Sequence, residues 1–121
     1  MRIPKFEAQT EWNIPTEFPD LRQVEEIAID LETKDPDLKE KGSGSVIGNG
    51  DVIGIAVATN GFKGYFPIAH EGGGNMDRKK VLEWLKDILE APSTKVFHNA
   101  MYDVCWLRQL GFKINGDIVC T

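Results

Sequence analysis

Short apolar runs alternate with turn residues along the first half of the chain. The run VEEIAIDL at 24–31 is rich in branched apolar residues and predicts a buried strand. Two more strands are predicted at 52–59 and 62–68, because Asn60-Gly61 between them is the dipeptide that most favours a two-residue hairpin turn. Three consecutive strands of this kind indicate an antiparallel meander.

The second half alternates helical and strand patterns. Apolar residues recur at helical spacing from about 77 to 90, where Asn75 or Asp77 could cap the first turn and Pro92 ends the element. Three further elements are predicted after it: a strand at 95–98, a helix at 99–110 ended by Gly111, and a strand from 118 onward. This alternation favours parallel pairing beside the meander, and so an α/β fold with a mixed sheet flanked by helices.

Two segments lack any such periodicity. Residues 1 to about 22 contain three prolines and predict an extended arm, whose aromatic residues we expect to pack on the domain formed by 23–121. These aromatic residues are Phe6, Trp12 and Phe18. The polar, Gly-rich stretch at 33–51 predicts a long mobile loop.

Composition narrows the class of protein. A chain of 121 residues with 41% hydrophobic and 27% charged side chains is typical of one globular domain. The net charge of -5 argues against a broad basic surface for nucleic acid, unless divalent cations reverse the local sign. Cys105 and Cys120 lie among apolar neighbours and are predicted to be reduced, buried thiols of a cytosolic protein. No signal peptide or membrane span is predicted.

Asp30 and Glu32 are the first candidates for chemistry. They lie two residues apart in a predicted strand, so both side chains should point to the same face. Two carboxylates so close repel each other, and a divalent cation between them satisfies both; oxygen ligands suit Mg²⁺ or Mn²⁺. The alternative is a pair of solvated charges at a strand end.

Asp103 is the second candidate. On a helical wheel it falls between Leu107 and Leu110 and near Ala100, in an apolar arc, so burial is predicted. A buried carboxylate requires a cation, a metal or hydrogen-bond donors, and the first turn of a helix favours an anion. The alternative is an Asp tied to an Arg or to backbone donors. Asn99, just before the helix, is predicted to cap it.

Three segments together resemble the proofreading exonuclease domain of family-A DNA polymerases: IDLE at 29–32, DVIGIAVATNGFKGYFPIAH at 51–70 and VFHNAMYDVCWL at 96–107. The resemblance runs from about residue 24 to the C-terminus. It implies the DEDD exonuclease group, with a ribonuclease H-like fold and removal of nucleotides from 3′ ends by two metal ions, Mg²⁺ or Mn²⁺. It also implies two partners, a single-stranded DNA 3′ end and a polymerase domain of the same parent chain, in the cytoplasm at the nucleoid or replication complex.

The resemblance assigns roles to individual residues. Three carboxylates match the family's catalytic metal ligands: Asp30, Glu32 and Asp103. Three neighbours match substrate-binding positions: Leu31, Asn99 and Tyr102. Leu31 takes a position often held by Thr, which changes one contact.

Two departures from the family pattern lead to further expectations. The third motif, a Tyr or His four residues before the last metal-binding Asp, should lie beyond residue 121, so we expect a C-terminally truncated fragment that is weak or inactive alone and is able to self-associate. Cys120-Thr121 stands where the family usually has Asp-Thr. Two alternatives remain open: a non-catalytic nucleic-acid-binding or interaction module with a partial metal site, and a stand-alone RNA exonuclease.

Other polar residues are predicted to be less specialised. His70 and His98 are expected in packing or hydrogen-bonding roles, at the ends of a hairpin and of a strand. Three acidic residues in or beside the long connection are expected to be solvated: Asp35, Asp37 and Asp51. The basic run 78–80, with Lys86, is expected to form a solvated helix face.

Overall fold

Five strands form one mixed sheet in the computed structural model, which describes residues 14, 15, 17–35, 38, 44 and 50–121. The strands are β1 (Glu26–Lys34), β2 (Asp51–Thr59), β3 (Phe62–Pro67), β4 (Thr94–Phe97) and β5 (Ile118–Cys120). The helices among these residues are α1 (Arg78–Glu90) and α2 (Ala100–Gln109). The order across the sheet is β3-β2-β1-β4-β5. The predicted α/β class with a mixed sheet is confirmed.

The pairing of the strands also agrees with the sequence. β1, β2 and β3 pair antiparallel in succession, and β1–β4 and β4–β5 pair parallel. The hairpin turns at Asn60-Gly61, where Gly61 takes a φ of 108° that other residues rarely adopt. A register shift between Glu32 and Thr33 bends β1 near its end.

The core lies on one face of the sheet. Alternate residues of β1 are almost fully buried there: Ile27, Ile29 and Leu31. Helix α1 contributes Val81, Leu85, Ile88 and Leu89 to the same cluster, as its apolar periodicity predicts. Each such side chain stabilises the fold by about 1.5–3 kcal/mol through burial. The opposite face of β1 is thereby left to Asp30 and Glu32.

The end of the N-terminal arm packs on this core. The Phe18 ring lies 6.0 Å from Phe66 and 5.7 Å from Trp84, and the Trp84 indole N–H donates to the Pro19 carbonyl at 2.7 Å. The packing predicted for Phe18 is confirmed. Phe6 and Trp12 lie outside the described residues, as does most of the connection at 33–51 for which we predict a mobile loop.

Asp77, one of the two predicted caps, begins α1. Its side chain accepts hydrogen bonds from the backbone N–H groups of Lys79 and Lys80, at 3.0 and 3.3 Å. The helix ends at Glu90, before Pro92, as expected. Neither α1 nor α2 is long and apolar enough to cross a membrane.

Lys95 is buried in the middle of β4, which its polarity does not predict. Its ammonium group donates to the carbonyl of Ala91, to that of Ser93 at 2.9 Å and to that of Asn115 at 2.8 Å. Burial lowers the pKa of Lys95. Because an ammonium has three hydrogens, the three carbonyls use them all. Lys95 therefore joins the end of α1 to the turn before β5.

The prediction that both cysteines are buried is wrong for one of them. Cys105 is half-buried on α2, but Cys120 is exposed. The reason is the position of β5 at one edge of the sheet, where Ile118 and Val119 are also exposed, at 40% and 42%.

Candidate active site

Strand β1 presents Asp30 and Glu32 on the face opposite the core. Asp30 is 7% exposed and Glu32 is half-buried. Their partners across the β1–β2 ladder are small, Ala56 beside Asp30 and Gly54 beside Glu32. The residues opposite the pair are therefore small, and at Gly54 a side chain from the neighbouring strand can pass over the backbone.

Tyr65 of β3 reaches across β2 to this pair. Its hydroxyl donates to Oε1 of Glu32 at 2.8 Å. Gly54 makes the contact possible, because a Cβ at position 54 would lie 1.8 Å from the Tyr65 hydroxyl oxygen and 2.4 Å from Cζ. The absence of a side chain at Gly54 thus determines the path of the Tyr65 ring.

Asp30 and Glu32 both affect the pKa of Tyr65. Burial raises the pKa of Tyr65 most, the hydrogen bond and charge of Glu32 raise it further, and the charge of Asp30 adds to this. Tyr65 therefore remains a neutral hydrogen-bond donor.

His70 contacts the same hydroxyl from the end of the hairpin. Its Nε2 lies 2.5 Å from the Tyr65 oxygen, and the two rings meet edge to face at 5.7 Å. The hydrogen-bonding role predicted for His70 is confirmed. His98 also makes a hydrogen bond, in which Nδ1 lies 3.4 Å from the Thr121 hydroxyl oxygen.

Helix α2 carries Asp103 in its first turn, 2% exposed. The predicted burial is confirmed. The cap predicted for Asn99 is corrected: Asn99 occupies the N-cap position, but its side chain makes no capping hydrogen bond. Its backbone is left-handed, with φ 60° and ψ 58°, instead of the extended conformation of capping residues. The Asn99 carbonyl instead accepts from the N–H groups of Tyr102 and Asp103, at 3.2 and 3.4 Å.

Tyr102 joins the start of α2 to the end of β1. Its hydroxyl donates to Oδ2 of Asp35 at 2.8 Å and lies 2.8 Å from the Thr33 hydroxyl, and burial raises its pKa. Asp35 also accepts from the Gly44 backbone N–H at 2.9 Å, so the prediction that it is solvated is wrong. The turn that holds Asp103 is thus tied to the strand that holds Asp30.

The other residues singled out in the sequence are the predicted substrate residue Leu31, two acidic residues and the basic face of α1. Leu31 is 2% exposed in the core, so only its main chain remains for the substrate contact that the resemblance implies. Asp51 is half-exposed, and its Oδ1 lies 3.9 Å from Nη2 of Arg78. Asp37 lies outside the described residues. The basic face of α1 is exposed, with Lys86 paired to Glu90 at 3.0 Å.

Cys120 lies beside the beginning of α2. Its sulfur accepts from the backbone N–H of Ala100 at 3.2 Å. A thiol is a weaker acceptor than a carboxylate. The hydrogen bond from Ala100 to Cys120 is therefore weaker than a bond from the same N–H group to an Asp at position 120 would be.

The donor chemistry of the site fits a hard divalent cation. Asp30 and Glu32 supply oxygen ligands, which suit Mg²⁺ or Mn²⁺. Across the described residues, however, no group of three or more His, Cys, Asp or Glu side chains is close enough to hold a metal ion. Like charges repel, and a divalent cation is one way in which close carboxylates are stabilised. The convergence of Asp30, Glu32 and Asp103 on an ion stays a prediction.

Comparisons with known proteins agree with the resemblance seen in the sequence. No family model matches the chain. A DNA-directed DNA polymerase of Pseudomonas phage M6 is 40% identical over 81 residues, which are 64% of this chain and 12% of the phage protein. Two structures of Brucella melitensis NrnC, one with bound Mg²⁺, share the fold at a TM-score of 0.50 and 19% and 20% identity.

These matches differ in extent. The NrnC structures cover 89% of this chain, but the chain spans 46% of NrnC and 12% of the phage polymerase. At such low identity NrnC shows the fold alone, a ribonuclease H-like mixed sheet with helices. The phage polymerase is thus similar to this chain in sequence over part of its length, and NrnC is similar to it in fold.

Proposed function

We propose that this chain is part of a 3′→5′ exonuclease domain that proofreads for a DNA polymerase. One observation carries the proposal: Glu32 accepts a hydrogen bond from Tyr65 on the strand that also carries Asp30, and Tyr102 ties the end of that strand to the first turn of α2. That turn carries the buried carboxylate of Asp103. A nuclease that uses metal ions requires such an arrangement of acidic residues from separate elements.

The carboxylates are the proposed cation ligands. Asp30, Glu32 and Asp103 would hold Mg²⁺ or Mn²⁺, and the bound ions would supply the charge that makes water nucleophilic and stabilises the leaving 3′ oxygen. The protein's own contribution is to orient these carboxylates on rigid elements. The small residue opposite Glu32, Gly54, leaves the space that the Tyr65 hydroxyl uses to reach Glu32.

The substrate contacts are proposed at three positions. They are the exposed side chain of Asn99, the ring of Tyr102 and the main chain of Leu31. The partners proposed are a single-stranded DNA 3′ end and the polymerase domain of the parent protein, working at the replication complex in the cytoplasm.

The activity is tested with the whole gene product that contains this chain. We expect it to shorten a 5′-labelled single-stranded deoxyoligonucleotide one nucleotide at a time when Mg²⁺ is present. The same oligonucleotide with phosphorothioate linkages at its 3′ end should resist. Degradation from the 5′ end, or none with Mg²⁺ or Mn²⁺, would contradict the proposal.

A non-catalytic binding module is the second candidate, because no three-ligand group is formed among the described residues. Calorimetry with Mn²⁺ and single-stranded DNA separates the two. Metal-dependent DNA binding supports the nuclease, whereas DNA binding without any metal dependence supports the module. An RNA oligonucleotide of the same sequence tests whether the chain prefers RNA.

Two substitutions of Asn99 distinguish the role of its backbone conformation in stability from the role of its side chain in DNA binding. Asn99→Gly should largely preserve stability, because glycine adopts the left-handed conformation without steric strain, whereas Asn99→Ala should lose roughly 1 kcal/mol. If the amide contacts DNA, both variants should bind single-stranded DNA more weakly. Urea denaturation and DNA titration measure the two effects. DNA affinity that is unchanged in Asn99→Gly would remove this residue from the substrate contacts.

A further inference from the structure

We propose that Tyr65 and His70 are positioning residues, which form a chain of two hydrogen-bond donors that fixes the carboxylate of Glu32. This inference rests on the proposed function, because it concerns how Glu32 is prepared for a cation. Neither residue is one of the carboxylates or substrate contacts assigned above.

The direction of the chain follows from counting hydrogens. The Tyr65 hydroxyl has one hydrogen and gives it to Glu32 Oε1 at 2.8 Å. Its oxygen therefore accepts from His70 Nε2, which lies 2.5 Å away, so Nε2 must carry a hydrogen. The order is His70 to Tyr65 to Glu32. Donors linked in this way polarise one another and strengthen the last bond.

Hydrogen bonds at the end of the hairpin hold the backbone of His70. The His70 N–H donates to Oδ1 of Asn75 at 2.8 Å, and the Asn75 amide donates back to the His70 carbonyl at 3.0 Å. The N–H groups of Ile68 and Ala69 both donate to the Ile53 carbonyl, at 2.9 and 3.1 Å. These bonds fix the backbone of His70 beside β2, at a place from which its ring reaches the Tyr65 hydroxyl.

The chain has a consequence for metal binding. Among the described residues, Tyr65 donates a hydrogen bond to Glu32, and the atom that accepts this bond is Oε1. Oε2 then remains for a cation. Fixing the rotamer of a ligand before the ion arrives reduces the entropy lost on binding.

The first test needs no metal. A long-range ¹H–¹⁵N spectrum of the histidine ring should show His70 protonated at Nε2. A neutral ring protonated only at Nδ1 would overturn the proposed direction. Because this result is independent of cation binding, it can fail or hold whether or not the nuclease assignment is right.

The second test measures Mn²⁺ affinity by calorimetry. Tyr65→Phe removes one hydroxyl and should weaken Mn²⁺ binding by about tenfold or more, the usual effect of losing a partner of a metal ligand. Gly54→Ala should do the same, because its Cβ would displace the Tyr65 hydroxyl. Gly72→Ala is the matched control, since its Cβ would meet nothing within 4 Å. Affinity within twofold of the parent in a folded Tyr65→Phe protein would overturn the inference.

The third test asks whether His70 acts through Tyr65. His70→Gln keeps a donor near Nε2 and should retain Mn²⁺ affinity, whereas His70→Leu should lose it. In the double variant with Tyr65→Phe, His70→Leu should cause no further loss. An additive loss would show that His70 binds the cation itself. If the parent protein binds no Mn²⁺, the proposed function fails as well, and the ring spectrum still decides the hydrogen-bond direction.

Discussion

Asp30→Asn is expected to lower the 3′ exonuclease rate of the gene product by roughly 10³-fold or more. A metal ion contributes several kcal/mol of transition-state stabilisation, and each 1.36 kcal/mol is a tenfold change in rate. An amide in place of the carboxylate keeps the size of the side chain but removes the negative charge. The measurement is the initial rate of 3′ nucleotide release at saturating Mg²⁺.

The control for Asp30→Asn is Asp87→Asn, the same change at an exposed position of α1. It should leave both rate and stability unchanged. Circular dichroism and thermal melting must show that Asp30→Asn remains folded. A folded Asp30→Asn protein that keeps more than a tenth of the parent rate would remove Asp30 from the catalytic set.

Lys95→Met is expected to produce the largest loss of stability, about 3 kcal/mol or more. The change leaves the carbonyls of Ala91, Ser93 and Asn115 without their shared donor. Each unsatisfied buried acceptor costs about 1–3 kcal/mol, and relief of the buried charge offsets part of the total. The cation also lies near the C-terminus of α1, where the helix dipole favours it.

Urea denaturation measures the effect of Lys95→Met. The midpoint should fall while the slope stays unchanged, because the surface exposed on unfolding is the same. Lys79→Met, at an exposed position of α1, should change stability by less than about 0.5 kcal/mol. A Lys95→Met protein as stable as the parent would show that desolvation of the ammonium cancels its three hydrogen bonds.

Much of the fold follows from local patterns. The Asn60-Gly61 turn fixes the pairing of β2 with β3, and strand alternation in β1 separates Asp30 and Glu32 from Ile29 and Leu31. The apolar arc around Asp103 likewise predicts its burial. These features depend only on neighbours within one element or one tight turn, so a single sequence contains them.

The hydrogen bond from Tyr65 to Glu32 depends on the pairing of strands that are far apart in the sequence. The hairpin turn places Tyr65 opposite Ala56, but the pairing of Ala56 with Asp30 depends on the register of β1 and β2 across a long connection. No short turn fixes that register. The requirement for Gly54 becomes visible only once the Tyr65 ring is seen to lie over it.

Other features conflict with the average behaviour of their residue type. A lysine is rarely fully buried, so Lys95 looks like a solvent-facing residue, although it alternates with Phe97 toward the core. Asn99 resembles a capping residue by type and position, yet its left-handed backbone leaves the side chain uninvolved. Cys120 has apolar neighbours in sequence, but the edge position of β5 exposes it.

The central claim is that Asp30, Glu32 and Asp103 share divalent metal ions. Anomalous diffraction from crystals of the protein soaked in Mn²⁺ with a short deoxyoligonucleotide tests it most directly. We predict a Mn²⁺ peak within about 2.0–2.6 Å of oxygens of Asp30 and Glu32, with Asp103 bound to the same ion pair directly or through water. Crystals with no peak at these residues, or with a peak from which Asp103 is remote, would contradict the account.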